Sequence, residues 1–388
     1  MLQRYNKFGK NESFVLSSRR FFIKTPMTDK KQKIFFAAKG TFDEMCRDIL
    51  MQVGDEGTIL KITVFNAPAD NHEYMGNLSL LRKLVAEKFG CNAPLTAYVA
   101  QPCVTAGMAA EVTYMPDDES LACEYGDGYI LLRGAGFCEL ISEGVVPSSL
   151  SGSIREQSED IFAKIGRMLS DNGFSTDDIY RQWNYIEQIT SMHGGRQNYQ
   201  EFNDARSRFY GSAQWGNGYP AATGIGTFCG GVMVEFYAVK GARVVNHAID
   251  NPLQTSAHSY SQKVLTGISD EPERTTPKFE RARLVGDTVY ISGTAAIKGE
   301  DSLAIDNAVQ QTAETMQIIK CLTSPDNLPV KCEKSTYTLL RVYIKNVSES
   351  DGVVAYMNEN YPDTPKHYLI ADVCRPELLV EIEGTAAV

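Results

Sequence analysis

The sequence predicts an α+β protein built from three tandem units, and two observations lead there. A Pro, a Cys and a Glu recur in the same order three times: Pro94, Cys103 and Glu111; Pro220, Cys229 and Glu235; Pro365, Cys374 and Glu381. The Pro and Cys stand nine residues apart each time, and the Glu follows the Cys by eight, six and seven residues. The second observation is that the elements around these marks come in a common order, strand, helix, strand, helix, strand, strand, as expected when each repeat is one supersecondary block.

The elements can be justified in turn. A short apolar strand ending in Gly opens each unit, over Ile34 to Gly40, Tyr129 to Gly134 and Val289 to Gly293. Helical runs follow: Ile154, Ile161, Ile165 and Met168 fall on one face in the second unit, and Val309, Thr312, Met316 and Ile319 in the third. A β-rich run comes next, Leu60 to Phe65, Gln182 to Ile186 and Leu340 to Ile344, with aromatic Phe65, Tyr185 and Tyr343 in matching places. Second helices are predicted over Asn77 to Phe89, Tyr199 to Phe209 and Gly352 to Asn360 before the Pro restarts extended chain. The first unit is degenerate, because Gly40 leads almost directly into its helix and leaves no room for a first hairpin. These limits divide the chain into a basic N-terminal extension (1–30), a degenerate unit (31–118), a middle unit (119–248) and a C-terminal unit (249–388).

Charge and cysteine usage narrow the function classes. The chain of 388 residues carries a net charge of -10, against a broad nucleic-acid surface. Residues 1–33 hold nine basic and two acidic side chains, a local +7 that leaves -17 for the rest; the arm reads as a solvated extension. No run approaches the roughly 18 apolar residues of a membrane span, and the N-terminus has no apolar signal region. A cytoplasmic protein is expected. Nine cysteines without a CxxC pair read as reduced thiols, and five scattered histidines make a zinc site improbable. Gly224-Ile-Gly226 lacks the spacing of a dinucleotide fingerprint, so neither metal nor cofactor is expected.

Val289-Tyr-Ile-Ser-Gly-Thr294, Pro365 and Val380-Glu-Ile-Glu-Gly384 resemble the YjgF-like family of reactive-intermediate deaminases, whose small members are homotrimers with ligand sites between subunits. Three such units in one chain imply an intramolecular pseudo-trimer, strands inside and helices outside, which stays monomeric or forms weak homo-oligomers. More specific strings point to one branch: Trp183-Asn-Tyr-Ile186, Glu201-Phe-Asn-Asp-Ala-Arg206, Tyr219-Pro-Ala-Ala-Thr-Gly-Ile-Gly226, Ala371-Asp-Val-Cys-Arg375 and Leu378-Leu-Val-Glu-Ile-Glu-Gly384. Together they resemble the chorismatases, from about residue 120 to the end. That resemblance implies cleavage of chorismate, a small anionic substrate, to pyruvate plus a hydroxybenzoate or a dihydroxycyclohexadiene carboxylate, in a site between the middle and last units.

Vinyl ether cleavage begins by protonating the terminal methylene, so an acid is needed. Strand periodicity puts Glu381 and Glu383 on one face, and two neighbouring carboxylates push at least one pKa upward. Either could carry the proton; Glu381 is favoured because the resemblance places the ligand-site carboxylate there, with Glu111 and Glu235 as relics. Glu383 is then expected beside the substrate. Cys374, expected on the adjoining strand, goes in the resembled family with hydroxybenzoate-forming members. Arg206 is the leading carboxylate binder, ahead of Arg196, Arg283, Arg375 and Lys366. The Tyr219 hydroxyl, Thr223 and the backbone of Gly224 are expected at the ligand, and Ser292 to Ala296 at the ring end of the pocket. Trp183 and Tyr185 read as core aromatics. Two other readings compete: an enamine or imine deaminase, opposed by Lys366 where small members carry Arg, and a non-catalytic binding protein.

Overall fold

The computed structural model describes residues 30–54, 57–115, 121–242, 244–268, 273–303 and 306–388. The basic extension, apart from Lys30, and the boundary expected at 118 lie outside the described residues. Three β-sheets with their helices follow one another along the chain.

The first sheet comprises β1 (Lys31–Ala37), β2 (Thr58–Asn66), β3 (Leu95–Ala100) and β4 (Met108–Met115), in the order β1-β4-β2-β3, with helices α1 (Phe42–Gln52) and α2 (Asn71–Phe89). The second holds β5 (Ala122–Gly126), β6 (Tyr129–Gly134), β7 (Phe137–Ser142) and β8 (Ile179–Glu187), with α3 (Ile154–Asp171) between β7 and β8. A small ribbon, β9 (Met192–His193) and β10 (Arg196–Gln197), leads into α4 (Asn198–Tyr210), and β11 (Ala221–Thr227) and β12 (Val232–Lys240) complete that sheet as β11-β8-β12-β7-β6-β5. The third unit runs through β13 (Asn246–Ile249), β14 (Ala282–Val285), β15 (Thr288–Ala295), a ribbon of β16 (Ile297–Lys298) and β17 (Asp301–Ser302), and α5 (Ala308–Leu322). It ends with β18 (Thr336–Ile344), α6 (Ser350–Asn360), β19 (Lys366–Ile370) and β20 (Val380–Ala387), ordered β13-β14-β15-β20-β18-β19. The first sheet is two strands shorter than the others, as the missing hairpin after Gly40 requires.

Local chemistry sets the helix starts. Thr41 and Ser153 form capping boxes with Glu44 and Glu156, satisfying backbone N–H groups that have no partner inside α1 and α3. Asp70 and Asn307 accept from Glu73 and Gln310 in the same way. Ile154, Ile161 and Ile165 are buried on one stripe of α3, while Met168 at its margin is only half-buried.

Strand alternation sorts side chains into two kinds of core. One apolar cluster draws on all three sheets: Leu60 and Phe65 from the first, Tyr180, Trp183 and Tyr185 from the second, Tyr290 and Tyr343 from the third. Three further clusters each pack essentially one sheet against its own helices. Along β20, Val380 and Ile382 face the helices, so Glu381 and Glu383 face the shared centre. Backbone hydrogen bonds stitch the three seams: Phe228 to Ala100, Gly226 to Asp372, and Ile370 to Pro102.

Candidate active site

The pocket that holds Glu381 lies at the seam of the second and third sheets and takes in about 740 Å³ with the open space at its mouth included. Its floor is backbone without bulk: Gly224 on β11 and Gly293 on β15. At Gly293 a Cβ would lie 2.0 Å from Glu381 Oε1, so any larger residue there would displace that carboxyl. Helix α4 contributes Tyr199, Gln200 and Asn203 to the lining, and the chain between β19 and β20 contributes Cys374 and Arg375. The connection from β13 to β14 covers the space with Tyr260 and Leu265.

Glu381 is 4 % exposed, and among the described residues no donor is hydrogen-bonded to its carboxyl. Burial, reinforced by the neighbouring Glu383 charge, pushes its pKa up to about 8. Such a group is a neutral acid at pH 7 with a proton to give.

The carboxylates that correspond to it on the other sheets are held differently. Cross-strand register places Glu111 opposite Thr63, Glu235 opposite Trp183 and Glu381 opposite Tyr343, so Tyr343 corresponds to Thr63 and Trp183 rather than to Phe65 and Tyr185 as expected from sequence. Arg341 grips Glu111 with two hydrogen bonds of 2.5 and 2.6 Å, and His367 Nε2 lies 2.6 Å from the same carboxylate. Burial by itself would raise the Glu111 carboxyl, but Arg341 and His367 outweigh it and hold it well below the usual range. Glu235 is ion-paired with buried Lys61.

Several expected ligand contacts need correction. Glu383 is taken up inside the protein: it accepts hydrogen bonds from Arg181, from Thr223 Oγ1, from Arg341 Nη1 at 3.0 Å and from the Tyr343 hydroxyl at 2.6 Å. Thr223 spends its proton on Glu383 and accepts from Arg181 Nη2 and Gly293 N, which leaves it supporting the floor behind Gly224. Lys366 is away from the cavity, donating to the carbonyls of Tyr361 and Thr364. Ala296 misses the wall because side chains alternate: Gly293, Ala295 and Ile297 face the cavity. Ser292 is likewise occupied, bridging the Glu280 carbonyl and Ala222 N.

Cys374 lines the cavity, from a loop rather than a strand, and burial followed by the Glu381 charge pushes its thiol up to about 12. Arg206 is buried one layer behind Asn203, to which it donates at 2.6 Å, and its Nε has no partner among the described residues. Tyr219 sits outside this layer, its ring stacked on Tyr210 at 5.9 Å and packed against Trp215. Arg283 secures the carbonyls of Gly218 and Tyr219 instead of facing a ligand. Trp183 and Tyr185 are core aromatics.

The cation that sequence reasoning missed is Arg281. It is 3 % exposed, lines the cavity, donates to the Thr255 carbonyl and, at 2.7 Å, to the Tyr260 hydroxyl, and its Nε has no partner among the described residues. Nothing in Glu280-Arg-Ala-Arg283 distinguishes it from Arg283. Arg375, a weaker choice from sequence, also lines the cavity, anchored by the Glu300 carbonyl and Ser302. Among the described residues no group of three or more His, Cys, Asp or Glu is arranged to hold a metal ion, and no helix is long and apolar enough to cross a membrane.

The chain resembles known proteins both in sequence and in fold. The chorismatase FkbO/Hyg5-like N-terminal domain matches residues 139–238. By sequence and by fold the chain is similar to chorismatases. The chain is 28% identical over 249 residues to a 3-hydroxybenzoate synthase of Streptomyces hygroscopicus, covering 62% of this chain and 72% of that protein. It is 27% identical over 256 residues to a chorismatase of the same organism, covering 63% and 71%. A chorismatase crystal structure at 1.08 Å superposes with a TM-score of 0.70 at 20% identity, over 93% of this chain and 99% of that one, so the fold is shared along nearly the whole length.

Proposed function

We propose that the protein cleaves the enolpyruvyl ether of chorismate, with Glu381 as general acid. The observation that carries this reading is a buried carboxyl, without a counter-charge among the described residues, facing a cavity that Arg281 and Arg375 also line. Glu381 protonates the terminal methylene of the enolpyruvyl group, and the ether oxygen stabilises the resulting cation. Water adds to the cationic carbon that bears the ether oxygen, and the hemiketal so formed collapses to pyruvate and the ring alcohol. Loss of water from the ring then yields a hydroxybenzoate, so no oxidant or cofactor enters the balance.

Arg281 and Arg375 are the groups placed to hold carboxylates, with Arg206 reaching the site through Asn203. Buried guanidinium groups suit this task, since their planar fork matches a carboxylate. Cys374, kept neutral by its high pKa, lies close enough to Glu381 for its thiol to be perturbed by that charge. That favours 3-hydroxybenzoate as product, with the thiol acting on the ring rather than as a thiolate nucleophile. We further read the three sheets as a trimer fused into one chain, with the boundary expected at 248/249 moved to before Asn246 because β13 belongs to the third sheet, so that a single polypeptide completes the site.

The test is to incubate the purified protein with chorismate and follow pyruvate with a lactate dehydrogenase couple. Pyruvate release that Glu381→Gln abolishes supports the proposal. No release above that variant rejects it in favour of a binding protein.

A further inference from the structure

Three cations occupy equivalent places on the three sheets. Register sets Lys61 opposite Thr113, Arg181 opposite Tyr237 and Arg341 opposite Glu383. All three surround the Trp183 ring, at 5.1, 4.4 and 5.5 Å from its centroid. Two of them cross a seam to the repeated Glu of the next sheet: Lys61 of the first to Glu235 of the second, and Arg341 of the third to Glu111 of the first. The same rotation sends Arg181 of the second sheet to Glu381 of the third. It goes instead to Glu383, two residues further along β20, both side chains being nearly inaccessible. The corresponding positions on the other sheets, Thr113 and Tyr237, carry no carboxylate that could compete.

We propose that Glu383 is a positioning residue that captures Arg181, and so keeps Glu381 without the cation its two counterparts have. Four carboxylates, Glu111, Glu235, Glu381 and Glu383, share the centre with Lys61, Arg181 and Arg341, and His367 stands beside Glu111. The fourth acid is left over, and it is the one facing the cavity. Glu383 has the contacts to hold this arrangement: Thr223 fixes one oxygen alongside Arg181, while Arg341 and Tyr343 fix the other. Thr223 also accepts from Gly293 N, the residue over which the Glu381 carboxyl lies, so the two carboxylates are separated by one rigid bridge. This inference rests on Glu381 being the acid of the proposed reaction and adds how it is kept protonated.

The experiment compares wild type, Glu383→Gln, Glu383→Thr and the double variant Arg181→Gln/Glu383→Gln. Glu383→Gln keeps the shape, and Glu383→Thr installs the residue that the first sheet carries at that register. The readout is the infrared carbonyl band of the neutral Glu381 carboxyl against pH, assigned by its loss in Glu381→Gln; it needs no substrate. With Glu383 gone, Arg181 is free to pair with Glu381, whose titration should fall toward the ordinary carboxylate range. The neutral fraction at pH 7 should then drop by about 100-fold, and kcat for pyruvate release with it, while KM changes by less than about threefold. The double variant, lacking the freed Arg, should recover the high titration. If both single variants fold and Glu381 still titrates as in wild type, the inference is overturned; so it is if the double variant titrates as low as Glu383→Gln. A band that moves as stated without pyruvate from chorismate would reject the substrate and leave the positioning role standing.

Discussion

The seam between the first and second sheets and the seam between the second and third are built from the same parts, yet one is filled and the other open. At the first, Tyr74 stacks on Tyr98 at 5.0 Å, and only about 160 Å³ is left beside Cys229, the counterpart of Cys374. At the second, Gly224, Gly293 and Cys374 line a pocket of about 740 Å³, the open space at its mouth included. The acids differ in the same sense: Glu235 is neutralised by Lys61, whereas Glu381 has neither a cation nor a hydrogen-bond donor among the described residues. The repeated carboxylate is an ion-pair partner at one seam and, on the proposed reading, an acid at the other, where it is unpaired among the described residues and its surroundings are open. Breaking a buried pair is costly, so the Lys61–Glu235 pair bears on stability.

The sharpest way to break this comparison is to exchange the acids for amides. Glu381→Gln should lower pyruvate release by about 1,000-fold, the range for losing a general acid, as measured in the coupled assay. Glu235→Gln should leave turnover within about twofold but destabilise the fold by roughly 3 kcal/mol in urea titration, because Lys61 is left buried without its counter-charge. Loss of turnover in Glu235→Gln comparable with that in Glu381→Gln would erase the distinction between the two seams.

A smaller effect sharpens it through pH. The raised pKa of Glu381 means that the folded protein keeps a proton the unfolded chain releases between its ordinary value of 4.5 and about 8. Stability from this group is therefore highest below pH 4.5, declines as pH rises, and reaches its full loss above pH 8. Glu381→Gln should be more stable than wild type at pH 8 by about 2 kcal/mol or more and indistinguishable at pH 4, read from denaturant midpoints. Glu235→Gln should show no such gain. Arg281→Met, which keeps bulk but not charge, should raise KM for chorismate by about 10- to 30-fold with kcat less affected, as expected for a lost charged hydrogen bond. The least effect on rate is expected at Cys374: Cys374→Ala should change total pyruvate by less than about threefold while shifting the product from hydroxybenzoate to diene diol, resolved by chromatography.

Much of this difference is legible in the sequence. The Pro, Cys and Glu repeat marks the strands β3, β11 and β19 and the chain leading to the last strand of each sheet, because extended segments keep their turn and register residues. Aligning Glu111, Glu235 and Glu381 also brings Thr113, Tyr237 and Glu383 together, so the second acid of β20 stands out before any coordinates. What could not be read is where each cation reaches. Arg181, Arg341 and Lys61 lie at matching strand positions, but whether a side chain crosses to the nearer or the farther carboxylate depends on contacts from three sheets. Arg281 escaped for a similar reason: it stands next to Arg283 in the pattern, and only the packing of the β13 to β14 connection separates a cavity wall from a backbone clamp. Lys366 was drawn in by sequence proximity to Pro365, whereas its ammonium turns back onto the chain before it.

The central claim is that Glu381 acts as a neutral acid because it alone of the three repeated carboxylates is unpaired. The most direct test is the pH profile of kcat/KM for pyruvate release from chorismate. The account predicts a rate that is level at and below neutrality and falls tenfold per pH unit above about pH 8, as the acid loses its proton. A rate that rises through pH 8, or a profile unchanged in Glu381→Gln, would contradict it.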